Sequence, residues 1–249
     1  MKGEESGTVE RRGIALAYKR LEGAGPTLVW LGGFMSDMEG TKAQALADWA
    51  AARGQAFLRF DYAGHGRSGG AFAEQTIGAW ADDALAVIEA KSEGPLILVG
   101  SSMGAWIALL AAQRLTRVSA LLLIAPAVDF TERLLWARLP AEVRQTILKE
   151  GRWERPSAYG ETPYPITKAL VEEGRDHLLM DAPIPFAGRV IILQGQADPD
   201  VPWAHAMAVA EKLTAADVEI TLIKDGDHRL SRPRDLALLT AAAGRLSKA

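Results

Sequence analysis

The segment Gly100-Ser101-Ser102-Met103-Gly104 constrains this chain more than any other: a G-x-S-x-G pentapeptide follows an apolar run, 96–99, and precedes a stretch of helical spacing, 103–114. A strand that turns abruptly into a helix is a unit of a parallel sheet, and in that setting the strained turn projects its middle serine out of the sheet. Glycines at 100 and 104 leave room for backbones to approach closely. The helix start puts the Met103 amide and a partial positive charge where an oxyanion would form. Ser102 is therefore the candidate nucleophile and Met103 a candidate oxyanion donor. The pentapeptide alone is a weak pattern, because glycine and serine are common in turns; its surroundings give it weight.

Four more short apolar runs, 28–31, 57–60, 121–124 and 190–193, are each followed by glycine, aspartate or proline, as strands buried on both faces should be. Alanine-rich stretches of helical spacing lie at 41–53, 77–91, 103–114, 202–212 and 233–248. This alternation predicts an α/β fold, a doubly wound and mostly parallel sheet with helices on both faces. Residues 8–11 and 14–20 flank Gly13 and predict a hairpin at an antiparallel edge. From about 129 to 185 the strand signals stop and prolines at 140, 156, 163, 165, 183 and 185 punctuate short helical pieces. That segment is expected to be a helical cap inserted into one domain spanning 1–249.

A serine hydroxyl needs a base to remove its proton. Of the four histidines, His228 lies just past the apolar segment 218–223, where a loop at the end of the sheet would present it. His65, in a glycine-rich loop, comes too early in the chain; His177 falls in the expected cap and His205 inside a helix. The carboxylate that orients the base should follow a strand between serine and histidine, and Asp198 does so after 190–193. Asp200 is its rival, with helix capping as the alternative use. The second oxyanion donor should come from the loop after the first buried strand, where Phe34 N–H is preferred over Gly33. Asp61 precedes the serine and is assigned a structural role in its turn. Trp136 and Trp153 are the tryptophans expected to wall a substrate pocket, because they fall in the cap.

Composition narrows the function by exclusion. The chain has 249 residues, no cysteine and a net charge of −3 with mixed signs, so thiol chemistry is ruled out and no basic footprint for nucleic acid exists. No apolar run approaches a bilayer span, and the charged, glycine-containing N-terminal ten residues do not read as a secretory signal, so a cytoplasmic protein is expected. No metal-ligand spacing, phosphate loop or dinucleotide fingerprint occurs, and neither a cofactor nor a metal is expected. Nothing sets the oligomeric state.

Residues 94–104, Asp61-Tyr62-Ala63-Gly64, Gly40-Thr41-Lys42-Ala43, Pro183-Ile184-Pro185, Val201-Pro202-Trp203 and Asp227-His228-Arg229 together resemble a known family. They look like the mitochondrial palmitoyl-protein thioesterases of the abhydrolase-domain group, also called mycophenolic acid acyl-glucuronide esterases, which have the α/β-hydrolase fold. The likeness extends into the cap through Gly151-Arg152-Trp153 and Pro156-Ser157-Ala158-Tyr159. It implies a serine hydrolase of thioesters or esters of acylated proteins or small molecules, with a triad carried over onto Ser102, Asp198 and His228. Ala105 departs from the family, which tends to have a further glycine there, and the composition suggests a bacterial relative. Rival readings are a small-ester carboxylesterase or carbon–carbon bond hydrolase using the same triad, and a non-catalytic ligand-binding module. Epoxide hydrolases and dehalogenases are disfavoured because their elbow nucleophile is aspartate.

Overall fold

All five apolar runs are strands in the interior of one eight-stranded sheet, seen in a computed structural model that describes residues 3–156 and 163–248. In chain order the strands are β1 (Glu5–Arg11), β2 (Ile14–Leu21), β3 (Ala24–Leu31), β4 (Gln55–Phe60), β5 (Leu96–Ser101), β6 (Val118–Ile124), and later β9 (Arg189–Gly195) and β10 (Val218–Ile223). The spatial order is β1-β2-β4-β3-β5-β6-β9-β10. The hairpin β1–β2 forms the antiparallel edge, β2 runs antiparallel to β4, and every other neighbouring pair is parallel.

Strand residues alternate strictly between two cores. Leu28, Trp30, Ile97, Val99, Leu122 and Ile191 pack with α1 (Thr41–Arg53) and α7 (Pro233–Leu246). Val29, Leu31, Leu98, Leu121, Leu123 and Ile192 pack with α2 (Ile77–Lys91), α3 (Met103–Ala112) and α6 (Trp203–Lys212). Because both faces are covered, neither position of the pleat is left to water, which is why these strands read as unbroken apolar runs. The helices start where their sequences say: Thr76 accepts from Ala79 N to cap α2, and α7 opens at Pro233 with the Asp235 carboxylate accepting from Arg232 N at 3.2 Å.

Between β6 and β9 the chain leaves the sheet. It passes through a π-helical turn at Thr131–Leu135, α4 (Ala141–Glu150), a ribbon of β7 (Arg152–Arg155) and β8 (Tyr164–Thr167), and α5 (Lys168–Gly174). The antiparallel ribbon corrects the expectation that strand signals stop here. Its strands are four residues each, too short to show a period, and Pro165 is tolerated because a two-stranded ribbon is all edge. The excursion has a small core of its own, Leu135, Ile147, Ile166 and Val171, which meets the rest of the protein through Phe34 and Phe130. Residues 157–159 of the resemblance lie outside the described residues.

Asp129 pins both stalks of this excursion. It is fully buried and held at φ +55°, and its carboxylate accepts hydrogen bonds from Leu179 N (2.8 Å), Met180 N (2.9 Å) and Arg133 Nε (3.2 Å). Removing the acceptor strands two amides away from water, which costs about 1–3 kcal/mol per buried group. Asp129→Ala is therefore expected to cost about 2–6 kcal/mol and to lower the melting temperature by roughly 4–24 °C, at about 2–4 °C per kcal/mol for a chain of this size. A calorimetric melt indistinguishable from wild type would show that the clasp carries no stability.

Candidate active site

Ser102 sits in the turn between β5 and α3 at φ +56° and ψ −119°, a conformation a non-glycine residue adopts only under constraint. The constraint is visible: Ser102 N donates to Ile124 O at 2.8 Å, and its carbonyl accepts from Ala105 N and Ala127 N. A side chain at 104 would place its Cβ 2.1 Å from Leu31 O, and one at 100 would come within 2.4 Å of Gly104 O. The two glycines of the pentapeptide therefore let α3 start directly against β3, so the turn can be sharp.

The loops after β9 and β10 bring the other two groups. They touch backbone to backbone, with Ala197 N donating to Gly226 O at 2.9 Å. His228 Nδ1 lies 2.8 Å from Asp198 Oδ2, and His228 Nε2 lies 3.1 Å from Ser102 Oγ. Asp198 Oδ1 accepts from Asp200 N (2.8 Å) and Val201 N (2.9 Å), and Gln194 Nε2 approaches Oδ2 at 3.4 Å. A carboxylate so surrounded by donors has one orientation, and it selects the imidazole tautomer with the proton on Nδ1. That leaves Nε2 as the acceptor for the Ser102 hydroxyl. Asp200, the rival acid, instead faces Arg155 at 3.8 Å.

The loop after β3 lies against the turn, since a Cβ on Gly33 would sit 3.3 Å from Ser102 Cβ. Phe34 and Met103 both line the cavity that Ser102 opens into. Met103 N is first in its helix and has no intrahelical acceptor. The next two amides after Phe34 are occupied: Met35 N donates to His65 Nε2 (3.3 Å) and Ser36 N to Gly33 O (3.2 Å). This loop is anchored from β4 and its following turn. Asp61 accepts from Met38 N and Arg67 N, the buried Arg59 donates to Met38 O, and His65 holds the left-handed Met35. Burial pushes His65 down to about 4, so at neutral pH it stays uncharged and keeps Nε2 as an acceptor. His65 thus has a supporting role that its place in a glycine-rich loop did not reveal.

The cavity encloses about 820 Å³. Trp153 lines it, as expected, together with Phe34, Phe130, Leu135, Leu139 and Tyr164. Trp136 does not: its ring packs into the small core of the excursion and lies 5.3 Å from the Arg175 guanidinium. One step along a helical turn swings a side chain by roughly 100–120°, which leaves Leu135 on the lining and takes Trp136 off it. His205 Nε2 donates to Val128 O, and His177 pairs with Glu173 at 2.7 Å, so neither joins Ser102. Asp198, Asp200 and His228 are grouped closely enough to suggest metal ligands, but both imidazole nitrogens already have partners in a proton-transfer arrangement.

The family model described as serine aminopeptidase, S33 (Hydrolase_4) matches residues 27–173, more than half of the chain. The chain belongs to this α/β-hydrolase family. Among its relatives, the mouse protein named "Palmitoyl-protein thioesterase ABHD10, mitochondrial" is 41% identical over 90% of this chain and 76% of its own length. The human protein of that name is 39% identical over 90% of this chain and 74% of its own. A crystal structure from Agrobacterium vitis S4 superposes with a TM-score of 0.94 at 43% identity, covering 98% of each chain. Mouse alpha/beta hydrolase domain-containing protein 10 superposes at 0.89 with 38% identity, over 97% of this hydrolase and 98% of that chain. No helix among the described residues of the hydrolase is long and apolar enough to cross a membrane.

Proposed function

We propose that this α/β-hydrolase cleaves acyl thioesters and esters of medium or long chain through an acyl-enzyme on Ser102. The observation that carries the reading is the hydrogen-bonded run from Ser102 Oγ through His228 to Asp198, at the base of a cavity with an apolar wall. His228 Nε2 takes the hydroxyl proton as Ser102 Oγ attacks the carbonyl carbon. The amides of Phe34 and Met103 donate to the resulting oxyanion. Collapse breaks the carbonyl carbon–sulfur or carbon–oxygen bond, and the departing thiolate or alkoxide takes the proton back from His228. A water then repeats the sequence on the acyl-serine, and the protein is restored with no cofactor.

Residues 129–185 act in this reading as a cap on a single domain, with Trp153, Phe130 and Tyr164 forming the wall against which the acyl chain lies. The relatives' names support the thioesterase part, as does the similarity over nine-tenths of the chain. A cytoplasmic site of action is retained in the proposal, whereas those relatives are named as mitochondrial. Hydrolysis of p-nitrophenyl esters from acetyl to palmitoyl, alongside a palmitoyl-cysteine thioester, tests it. The expected result is kcat/KM rising with chain length and turnover of the thioester. Cleavage of acetyl and propionyl esters only would sink the acyl-chain assignment.

A further inference from the structure

The two ends of the cavity differ in chemistry. The end formed by the excursion carries Phe130, Leu135, Leu139, Trp153 and Tyr164, and its two cations are already engaged, Arg138 donating to Asp200 O and Arg155 facing the Asp200 carboxylate. The opposite end is formed by β3, the start of α1 and the His228 loop, and contributes Trp30, Lys42, Arg229 and Ser231. Lys42 Nζ and Ser231 Oγ both donate to Arg229 O, while the Trp30 indole has a donor left over. Trp30 is 4% exposed, lines the cavity, and its buried Nε1 has no hydrogen-bond partner among the described residues. Leaving an indole N–H unsatisfied away from water is costly, and a native protein tolerates it where a ligand supplies the acceptor. Lys42 stands in the first turn of α1, where a cation opposes the helix dipole. That helix has no side-chain cap and no acidic residue in its first turn. Lys42 Nζ donates to Arg229 O, which uses one of an ammonium's three donors. Asp37 also lines the cavity, and its Oδ1 accepts from Glu39 N at 2.8 Å.

We infer that this end of the cavity is an anion subsite, in which Trp30 Nε1–H and the Lys42 ammonium receive a carboxylate carried by the leaving group of the acyl substrate. The inference rests on hydrolysis at Ser102 as proposed above. It is the leaving group that belongs here, because the atom departing from the carbonyl must take its proton from His228, and His228's own loop builds this end. The acyl chain then extends the other way, along the apolar wall. Burial pushes Lys42 down to about 8, the acids Asp227, Asp198 and Asp235 opposing that shift and Arg229 adding to it. Besides Arg229, the ionisable groups lining the cavity with it are His228, Asp37, Asp200, Arg138, Arg155 and Tyr164. At neutral pH the ammonium is still the major form, and it is lost as the pH rises through about 8.

A matched pair of thioesters isolates the carboxylate: S-decanoyl-N-acetylcysteine and S-decanoyl-N-acetylcysteamine differ only by that group. For the wild type, kcat/KM is expected to favour the carboxylate substrate by about tenfold, in line with hydrogen bonds to a charged partner. That preference should decline as the pH rises through about 8. Lys42→Met removes the charge and Trp30→Phe removes the N–H, and each is expected to bring the ratio toward one. Any loss common to both substrates, such as loosening of the His228 loop, cancels in the ratio. A wild-type ratio near one, or a preference that survives in both variants, overturns the subsite while the hydrolase reading stands. If neither thioester is cleaved, the hydrolase reading is what fails. The subsite is then decided by calorimetry on Ser102→Ala, where the same pair should differ about tenfold in Kd, and equal Kd values overturn it.

Discussion

Ser102→Ala is expected to lower kcat on any ester or thioester substrate by roughly 10⁴–10⁶, with KM little changed, because the alanine removes the atom that forms the acyl-enzyme and leaves the cavity intact. Alanine fits at φ +56° no worse than serine, and the hydrogen bonds that hold the turn are all backbone, so the fold should survive. Steady-state kinetics and intact-mass detection of fluorophosphonate labelling check this together. Wild type should gain one label and the variant none. A variant within tenfold of wild type would mean that another nucleophile works here and would reopen the reading as a binding module.

Asp198→Asn is expected to cost about 10⁴ in kcat at neutral pH. The substitution is nearly isosteric and could keep acceptors for Asp200 N and Val201 N at Oδ1. Its amide nitrogen, placed at the Oδ2 position, would donate toward His228 instead of accepting, and the imidazole would put its proton on Nε2, where it cannot serve as a base. Asp200→Asn provides the comparison: Asp200 faces Arg155 rather than His228, so kcat should remain within a few-fold of wild type. Equal losses in the two variants would show that the region acts through loop structure rather than through one carboxylate.

Much of this architecture was legible in the sequence because strong local signals agreed with one another. Strand runs, helix periods and the pentapeptide each located the same turn, and the chain order of serine, acid and histidine left few choices. Where signals were weak, the reading lost detail. The ribbon of β7 and β8 has too few residues to display a period, and Arg152 and Glu154 disguise it as surface loop. Trp136 was assigned to the pocket from its position in the segment, yet direction along a π-helical and 3₁₀ turn is not set by segment membership. The supports of the loop after β3 were also invisible. Arg59 on β4 and Asp61 and His65 in the turn after it reach the loop from elsewhere in the chain, and contacts across 21 to 30 residues have no local signature. Lys42 is the residue that sequence reasoning passed over with a signal present: a lysine opening a helix without an acidic neighbour is electrostatically out of place.

The Asp129 clasp has an evolutionary corollary. By joining residue 129 to 179 and 180, it makes the intervening chain a closed loop whose two ends are fixed whatever happens at its tip. Lengthening a loop that is already closed costs little, roughly 0.6 kcal/mol per doubling, so insertions and exchanges near the tip are nearly neutral for the sheet beneath. Lineages can therefore swap this region for another of different size or polarity while Ser102, Asp198 and His228 keep their positions. The acyl specificity of such a hydrolase becomes a replaceable part, graftable between homologues at the two sides of a single aspartate.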